Sequence, residues 1–180
     1  MKKFCVTDPC YILPDDVWDK CCKVFDEYKD DEFMYQRFDE AVTKALTEFV
    51  GSKSYACGTG YGDWSNKLQG DGKVINSRFC ADAGMVCVCE LTDKVKEALD
   101  VDGTNNHVVA IFEAEDLRDV TFDLTDKDWT VVYIETTDGH CFCTLTADEY
   151  FGYDEDEIED WQYDEYCDDV ALANGSYGNE

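Results

Sequence analysis

Acidic side chains at helical spacing form the densest charged group in this chain of 180 residues. After Lys127 the sequence holds sixteen Asp and Glu residues and no lysine or arginine. Carboxylates four residues apart on one helix lie roughly 5–6 Å from each other. Asp156, Asp160, Asp164 and Asp168 have that spacing. The row predicts an acidic face that attracts cations or a positively charged protein surface.

Aromatic residues alternate with these acids, and a purely solvating tail has no use for them. Aromatic side chains are typical anchors of protein interfaces, and duplex nucleic acid carries one charge per roughly 1.7 Å of axis. A folded acidic face of this density can therefore imitate nucleic acid. The alternatives are a solvated charged tail and a weak calcium or metal buffer. The predicted partner-binding residues are Asp154, Glu155, Asp156, Glu157, Glu159, Asp160, Trp161, Tyr163, Asp164, Glu165, Tyr166 and Asp168.

Eleven cysteines are predicted to be reduced and structural, because their number is odd and no export signal is visible. Cys87 and Cys89 are two residues apart on a predicted strand, as are Cys141 and Cys143, so each pair shares one face of its strand. Two such pairs on adjacent strands would offer four sulfurs to zinc. Structural zinc normally uses Cys-x2-Cys knuckles in turns, so alternating small core residues are the favoured interpretation. No metal ligand or cofactor is predicted.

Three further patterns lack the partners that their chemistry needs. His107 and His140 have no thiol-protease or Gly-x-Ser-x-Gly signature around them. The glycine-rich residues 58–62 precede Asp63 rather than a phosphate-binding lysine. Asp100-x-Asp102-Gly103 lacks the glycine spacing and terminal glutamate of a calcium loop. We therefore predict no catalytic residue and no enzyme activity.

The helices and strands that position these residues follow from the sequence pattern. Together they indicate an α+β fold, with two N-terminal helices packed on a mostly antiparallel β-sheet and an acidic C-terminal segment. Helical periodicity predicts helices over 15–29 and 31–50, and Thr92 is predicted to cap a short helix that runs through Leu99. Extended chain is predicted at 4–6, 11–13, 55–57 and 85–91. A four-stranded meander is predicted over 107–113, 119–124, 129–136 and 140–145, with a hairpin at Asp138-Gly139.

The domain is predicted to span 1–147, followed by an acidic, aromatic-containing segment at 148–180 that is disordered at its end. Thr146 to Glu149 resembles the capped start of a helix. With 44% hydrophobic residues the chain has enough apolar side chains for a core. It has no apolar run long enough to span a membrane, and a cytoplasmic protein is expected.

The opening Val6-Thr7-Asp8-Pro9-Cys10-Tyr11-Ile12, with Trp18 and Gly60-Tyr61-Gly62-Asp63, resembles a loosely defined group of small phage and bacterial proteins. Those proteins begin with an Asp-Pro-Cys-Tyr strand and carry a Gly-Asp turn. The resemblance covers the first sixty-five residues or so and implies a mobile-element origin without assigning any catalytic residue. In size, acidity and cysteine content the chain is also similar to phage inhibitors of host defence nucleases, including anti-CRISPR proteins.

These features together predict a non-enzymatic phage or mobile-element inhibitor that acts in the host cytoplasm. Its partner is expected to be a basic host nuclease or another nucleic-acid-binding protein, with or without bound RNA, and a Cas9-type nuclease fits best. Direct DNA binding is excluded by a formal charge of −27. The alternatives are a small-molecule or nucleotide-binding module that uses residues 58–63, and a zinc-binding structural protein.

Overall fold

The computed structural model describes residues 1–58, 63–69, 73–74, 78–80, 83–100, 108–123 and 129–147. Within them lie three α-helices and ten β-strands in two antiparallel sheets. The predicted α+β class is therefore confirmed. The predicted acidic segment at 148–180 lies outside the described residues, and its separation from the domain stays a prediction.

Two long helices follow the first strand and pack against each other. Helix α1 spans Asp15–Tyr28, where Pro14 precedes the first turn and early acids favour the helix dipole. Helix α2 spans Met34–Val50 and ends at Gly51, whose φ of 81° is a left-handed conformation that glycine adopts without strain. The predicted start of α2 at Asp31 is three residues early, because residues 29–33 form the turn between the two helices.

The first sheet has the strand order β2-β6-β1-β7-β4. Its central strand β1 pairs on one side with β6, where Cys5 faces Cys89, and on the other side with β7, where Phe4 faces Phe112. The five strands are β1 Lys2–Thr7, β2 Tyr55–Gly58, β4 Lys73–Val74, β6 Met85–Glu90 and β7 Val108–Ala114.

The second sheet has the strand order β5-β3-β10-β9-β8. The predicted meander of four strands is wrong in one respect, because β7 belongs to the first sheet and only β8, β9 and β10 are consecutive neighbours. The predicted Asp138-Gly139 hairpin joins β9 to β10 as expected. The five strands are β3 Asp63–Gln69, β5 Arg78–Cys80, β8 Leu117–Asp123, β9 Trp129–Thr136 and β10 Gly139–Ala147.

Both faces of the first sheet are buried, which makes three layers. One face packs against the second sheet, with Val86 and Val88 in the same core cluster as Val132 and Ile134. The other face packs against the helices and carries Cys5, Cys87 and Cys89 together with the buried α2 residues Phe38, Val42 and Leu46. The alternation predicted for 85–91 is thus confirmed, since successive residues of β6 serve opposite faces.

The short helix α3, Asp93–Leu99, is capped as predicted, because the Thr92 hydroxyl accepts a hydrogen bond from the N–H of Val95. Two local predictions are wrong. The chain predicted to be extended at 11–13 instead begins inside a 3-10 turn, Pro9–Tyr11, which is capped by the Asp8 carboxylate. Thr146 belongs to β10 and does not begin a helix. No helix among the described residues is both long and apolar enough to cross a membrane.

Candidate functional site

All twelve predicted partner-binding residues, from Asp154 to Asp168, lie outside the described residues. The same is true of residues 59–62 of the glycine-rich stretch, of His107 and of Asp102-Gly103. Among the described residues, we examine charged and reactive side chains in four other places. These are the turn between α1 and α2, the buried carboxylate of Asp8, a group of three thiols, and the contact between Asp39 and Cys57.

An acidic turn joins the two long helices. Residues 26–32 contain five acids and one lysine. Within the turn, the Asp31 carboxylate accepts hydrogen bonds from the backbone N–H of Phe33 at 2.8 Å and from Nε of Arg37 at 2.9 Å. The Phe33 N–H, followed by the Arg37 side chain, lowers the pKa of Asp31. The Arg37 guanidinium also lies over the Tyr28 ring, 4.6 Å from its centroid.

These contacts fix the turn and present aromatic side chains to solvent. Of the described residues, the exposed large hydrophobic ones are Met1, Tyr28, Phe33, Tyr35 and Tyr133, and three of them belong to this turn and its flanks. Tyr35 is 70% exposed, although its ring packs edge-on against Phe25 at 6.0 Å. We name Tyr28, Phe33 and Tyr35 with the acids of residues 26–32 the helical tip. Sequence reasoning missed it, because apolar residues at 33 and 35 give no sign of exposure.

A buried carboxylate holds the end of β1. Asp8 is fully buried, and its two oxygens accept hydrogen bonds from the N–H of Cys10 at 2.9 Å and the N–H of Ala83 at 3.0 Å. It thereby caps the 3-10 turn and ties it to the loop that leads into β6. Buried backbone donors need such partners. These two contacts of Asp8 are thus structural, and the Asp-Pro step of the Asp-Pro-Cys-Tyr segment is a sequence signal from which the cap could have been predicted.

Three thiols meet on the helix-facing side of the first sheet. Cys5 and Cys89 are paired across β1 and β6 with their sulfurs 3.7 Å apart, and Cys87 lies two residues from Cys89 on the same face. Hydrogen bonds from Cys5 and Cys87 lower the pKa of Cys89. A hydrogen bond to Cys89, followed by burial, raises the pKa of Cys5. All three are fully buried, so a substrate has no direct access to them.

The hypothesis of a zinc site made from two cysteine pairs rests on a wrong premise. Cys87 and Cys89 lie on β6 of the first sheet, whereas Cys141 and Cys143 lie on β10 of the second sheet. Moreover, the first pair faces the helices, on the side of the first sheet away from the second sheet. Among the described residues, no group of three or more His, Cys, Asp or Glu side chains is arranged to hold a metal ion.

A thiol and a carboxylate meet where α2 contacts the end of β2. The Asp39 carboxylate accepts a hydrogen bond from the N–H of Gly58 at 2.8 Å, while the Cys57 thiol donates to the Gly58 carbonyl at 3.4 Å. Burial, followed by the neighbouring Asp39 charge, raises the pKa of Cys57 to about 12. A thiol in this state is a poor nucleophile near neutral pH.

The raised pKa of Cys57 predicts a loss of stability at alkaline pH. The unfolded thiol ionises near its ordinary value of 9.0 and the folded thiol only near about 12, so across this window the unfolded state releases a proton that the folded state retains. The free energy of unfolding should therefore fall between these values, and less steeply in Cys57→Ala. Urea denaturation at about pH 8 and about pH 11 measures the difference. Equal losses in both proteins would contradict the prediction.

Comparison with protein-family models, curated proteins and solved structures found no match to this chain. The resemblance to small phage and bacterial proteins that open with Asp-Pro-Cys-Tyr accordingly stays a prediction.

Proposed function

We propose that the chain is a non-enzymatic inhibitor, encoded by a phage or mobile element, that binds a basic host nucleic-acid-binding protein. A Cas9-type nuclease is the best candidate, and Asp154–Asp168 provides the acidic, nucleic-acid-mimicking surface. The observation that carries the proposal is the distribution of charge. The formal charge is −27, and the fifty-three residues after Lys127 supply −16 of it with no lysine or arginine.

The described helices support the proposal with further negative charge. Residues 15–50 hold eleven acids and five basic residues. Exposed carboxylates of this layer include Asp15, Asp19, Asp26, Glu40 and Glu48. Net charge of one sign destabilises a compact chain by self-repulsion while it accelerates association with an oppositely charged partner. A function that uses the field explains why the chain tolerates its cost.

The physical basis of inhibition is competition for a positively charged channel. A Cas9-type nuclease holds its heteroduplex by shape and backbone contacts in such a channel, and it reads the sequence by base pairing. An acidic protein face needs no base sequence to occupy that channel. Trp161, Tyr163 and Tyr166 would add apolar anchors that a nucleic-acid backbone lacks. The inhibitor would act in the host cytoplasm, where its target works.

Binding of the full-length chain to a Cas9-type nuclease loaded with guide RNA tests the proposal. Electrostatic attraction predicts an affinity at least about 100-fold weaker at about 500 mM salt than at about 50 mM salt, because screening and counterion release dominate such contacts. Interferometry with immobilised nuclease gives the dissociation constant at each salt concentration. An affinity independent of salt, or no complex at low salt, would contradict the proposal.

A further inference from the structure

The helical tip exposes apolar surface that the fold itself does not need. Phe33 is 53% and Tyr35 70% exposed, whereas Phe38 and Leu46, on the inner side of α2, are buried. Exposed hydrophobic residues that cluster, rather than occur singly, mark interaction surfaces. Phenylalanine and tyrosine are also among the residues enriched at interfaces.

Contacts within the fold hold the backbone of the tip and two of its rings, those of Tyr28 and Tyr35. Asp31 binds both the Phe33 N–H and Arg37, and Arg37 in turn covers the Tyr28 ring. Tyr35 is supported from below by Phe25, whose ring lies 4.4 Å from that of the buried Phe38. Side chains that are already held in place lose little conformational entropy on binding. The tip is thus suited to present its aromatic residues as anchors.

Charge indicates which partner the tip would accept. Asp26, Glu27, Asp30 and Glu32 are exposed, and none of them forms an ion pair with another residue in the described part of the chain. Apolar anchors with unpaired carboxylates at neighbouring positions of the chain repel acidic surfaces and nucleic acid and attract a basic protein surface. A second copy of this chain, at a formal charge of −27, is disfavoured for the same reason.

We infer that the helical tip is a second contact surface for a basic protein, with Phe33 and Tyr35 as apolar anchors and the surrounding carboxylates facing lysine and arginine side chains. This inference rests on the proposed function, since it names a further part of the chain that binds the same basic partner. The inference differs from the proposed function in the part of the chain that contributes to binding. The tip belongs to α1, α2 and the turn between them, and not to Asp154–Asp168.

The test compares full-length variants for binding to the guide-RNA-loaded Cas9-type nuclease. The tip variant carries Phe33→Ser and Tyr35→Ser. Serine is favoured at a helix N-cap, the position of Phe33, so the change should leave α2 intact. Tyr133→Ser is the matched control, because it removes a 48% exposed aromatic residue from the second sheet. We expect the tip variant to bind about 10-fold more weakly or worse, and the control to bind like the wild type.

The outcomes separate the two proposals. If the wild type binds and the tip variant binds equally well, the second contact surface is overturned while the proposed function stands. Equal weakening by the tip variant and by Tyr133→Ser would also overturn it, because the loss would then not be specific to the tip. If the wild type does not bind at all, the proposed function fails and the inference fails with it. Thermal unfolding of each variant is the control. A melting temperature equal to that of the wild type shows that a loss of binding is not caused by misfolding.

Discussion

Replacing Phe38 with alanine is expected to lower the free energy of unfolding by about 3–5 kcal/mol. Phe38 is 5% exposed and lies between the two long helices and the first sheet. Its ring packs against Phe25 at 4.4 Å and meets the Trp18 ring edge-on at 5.8 Å. Alanine removes these contacts and leaves a cavity that rigid neighbours fill only in part. Urea denaturation followed by circular dichroism measures the loss.

Two further variants show whether packing is the cause. Phe38→Leu keeps most of the apolar volume and should cost less than half as much as alanine. Tyr35→Ala changes an exposed aromatic residue on the same helix and should cost only a small fraction of the Phe38→Ala loss, because little buried area is removed. If Phe38→Ala were as stable as the wild type, the described packing of the helices on the first sheet would be wrong.

Reversing the charge at positions 156, 160, 164 and 168 by four Asp→Lys changes is expected to weaken binding to the guide-RNA-loaded nuclease by about 100-fold or more. If these positions face a basic channel, each change replaces an attraction by a repulsion. The effect should shrink at high salt, because screening weakens both terms. Interferometry at low and high salt measures it.

A matched variant separates position from total charge. Four exposed acids lie outside α1 and α2, on α3, on β7, in the turn after β7 and on β8: Glu97, Glu113, Glu115 and Asp119. Changing all four to lysine alters the net charge by the same amount as the four C-terminal reversals. We expect this control to keep most of the affinity. Equal losses in the two variants would mean that overall charge, and not the predicted acidic face, governs binding.

The sequence correctly predicted those helices and strands whose buried residues recur at one regular spacing. Phe38, Val42 and Leu46 recur at helical spacing, and all three are buried in α2. The alternation of valine and cysteine in β6 likewise predicted that its side chains serve two faces. Thr92 predicted the start of α3, because a hydroxyl at that position binds a nearby backbone N–H.

Pairing between distant strands could not be predicted in the same way. The strand β3, Asp63–Gln69, alternates only weakly, and β4 and β5 are two and three residues long. Nothing in residues 108–114 indicates that β7 joins β1 instead of β8, because that choice depends on contacts more than a hundred residues apart. The division into two sheets is therefore a tertiary property.

The candidate sites likewise include one that the sequence predicts and others that depend on tertiary structure. The acidic segment at 148–180 is defined by its composition, so the sequence alone locates it. The helical tip and the Asp8 cap depend on exposure and burial, which the types of residues do not reveal. Phe33 and Phe38 are both phenylalanines, the first at the N-cap of α2 and the second within that helix. Yet Phe33 is 53% exposed and Phe38 only 5%. Only the geometry of the turn distinguishes an anchor from a core residue.

Competition with DNA is the most direct test of an acidic surface that occupies a nucleic-acid channel. A labelled target duplex is bound to the guide-RNA-loaded Cas9-type nuclease, and the full-length chain is added before or after the duplex. We expect the wild type to prevent duplex binding when it is added first, and the four-fold Asp→Lys variant at 156, 160, 164 and 168 to leave it unchanged. If the chain and the duplex bound the nuclease together, with neither weakening the other, an acidic surface in the channel would be contradicted.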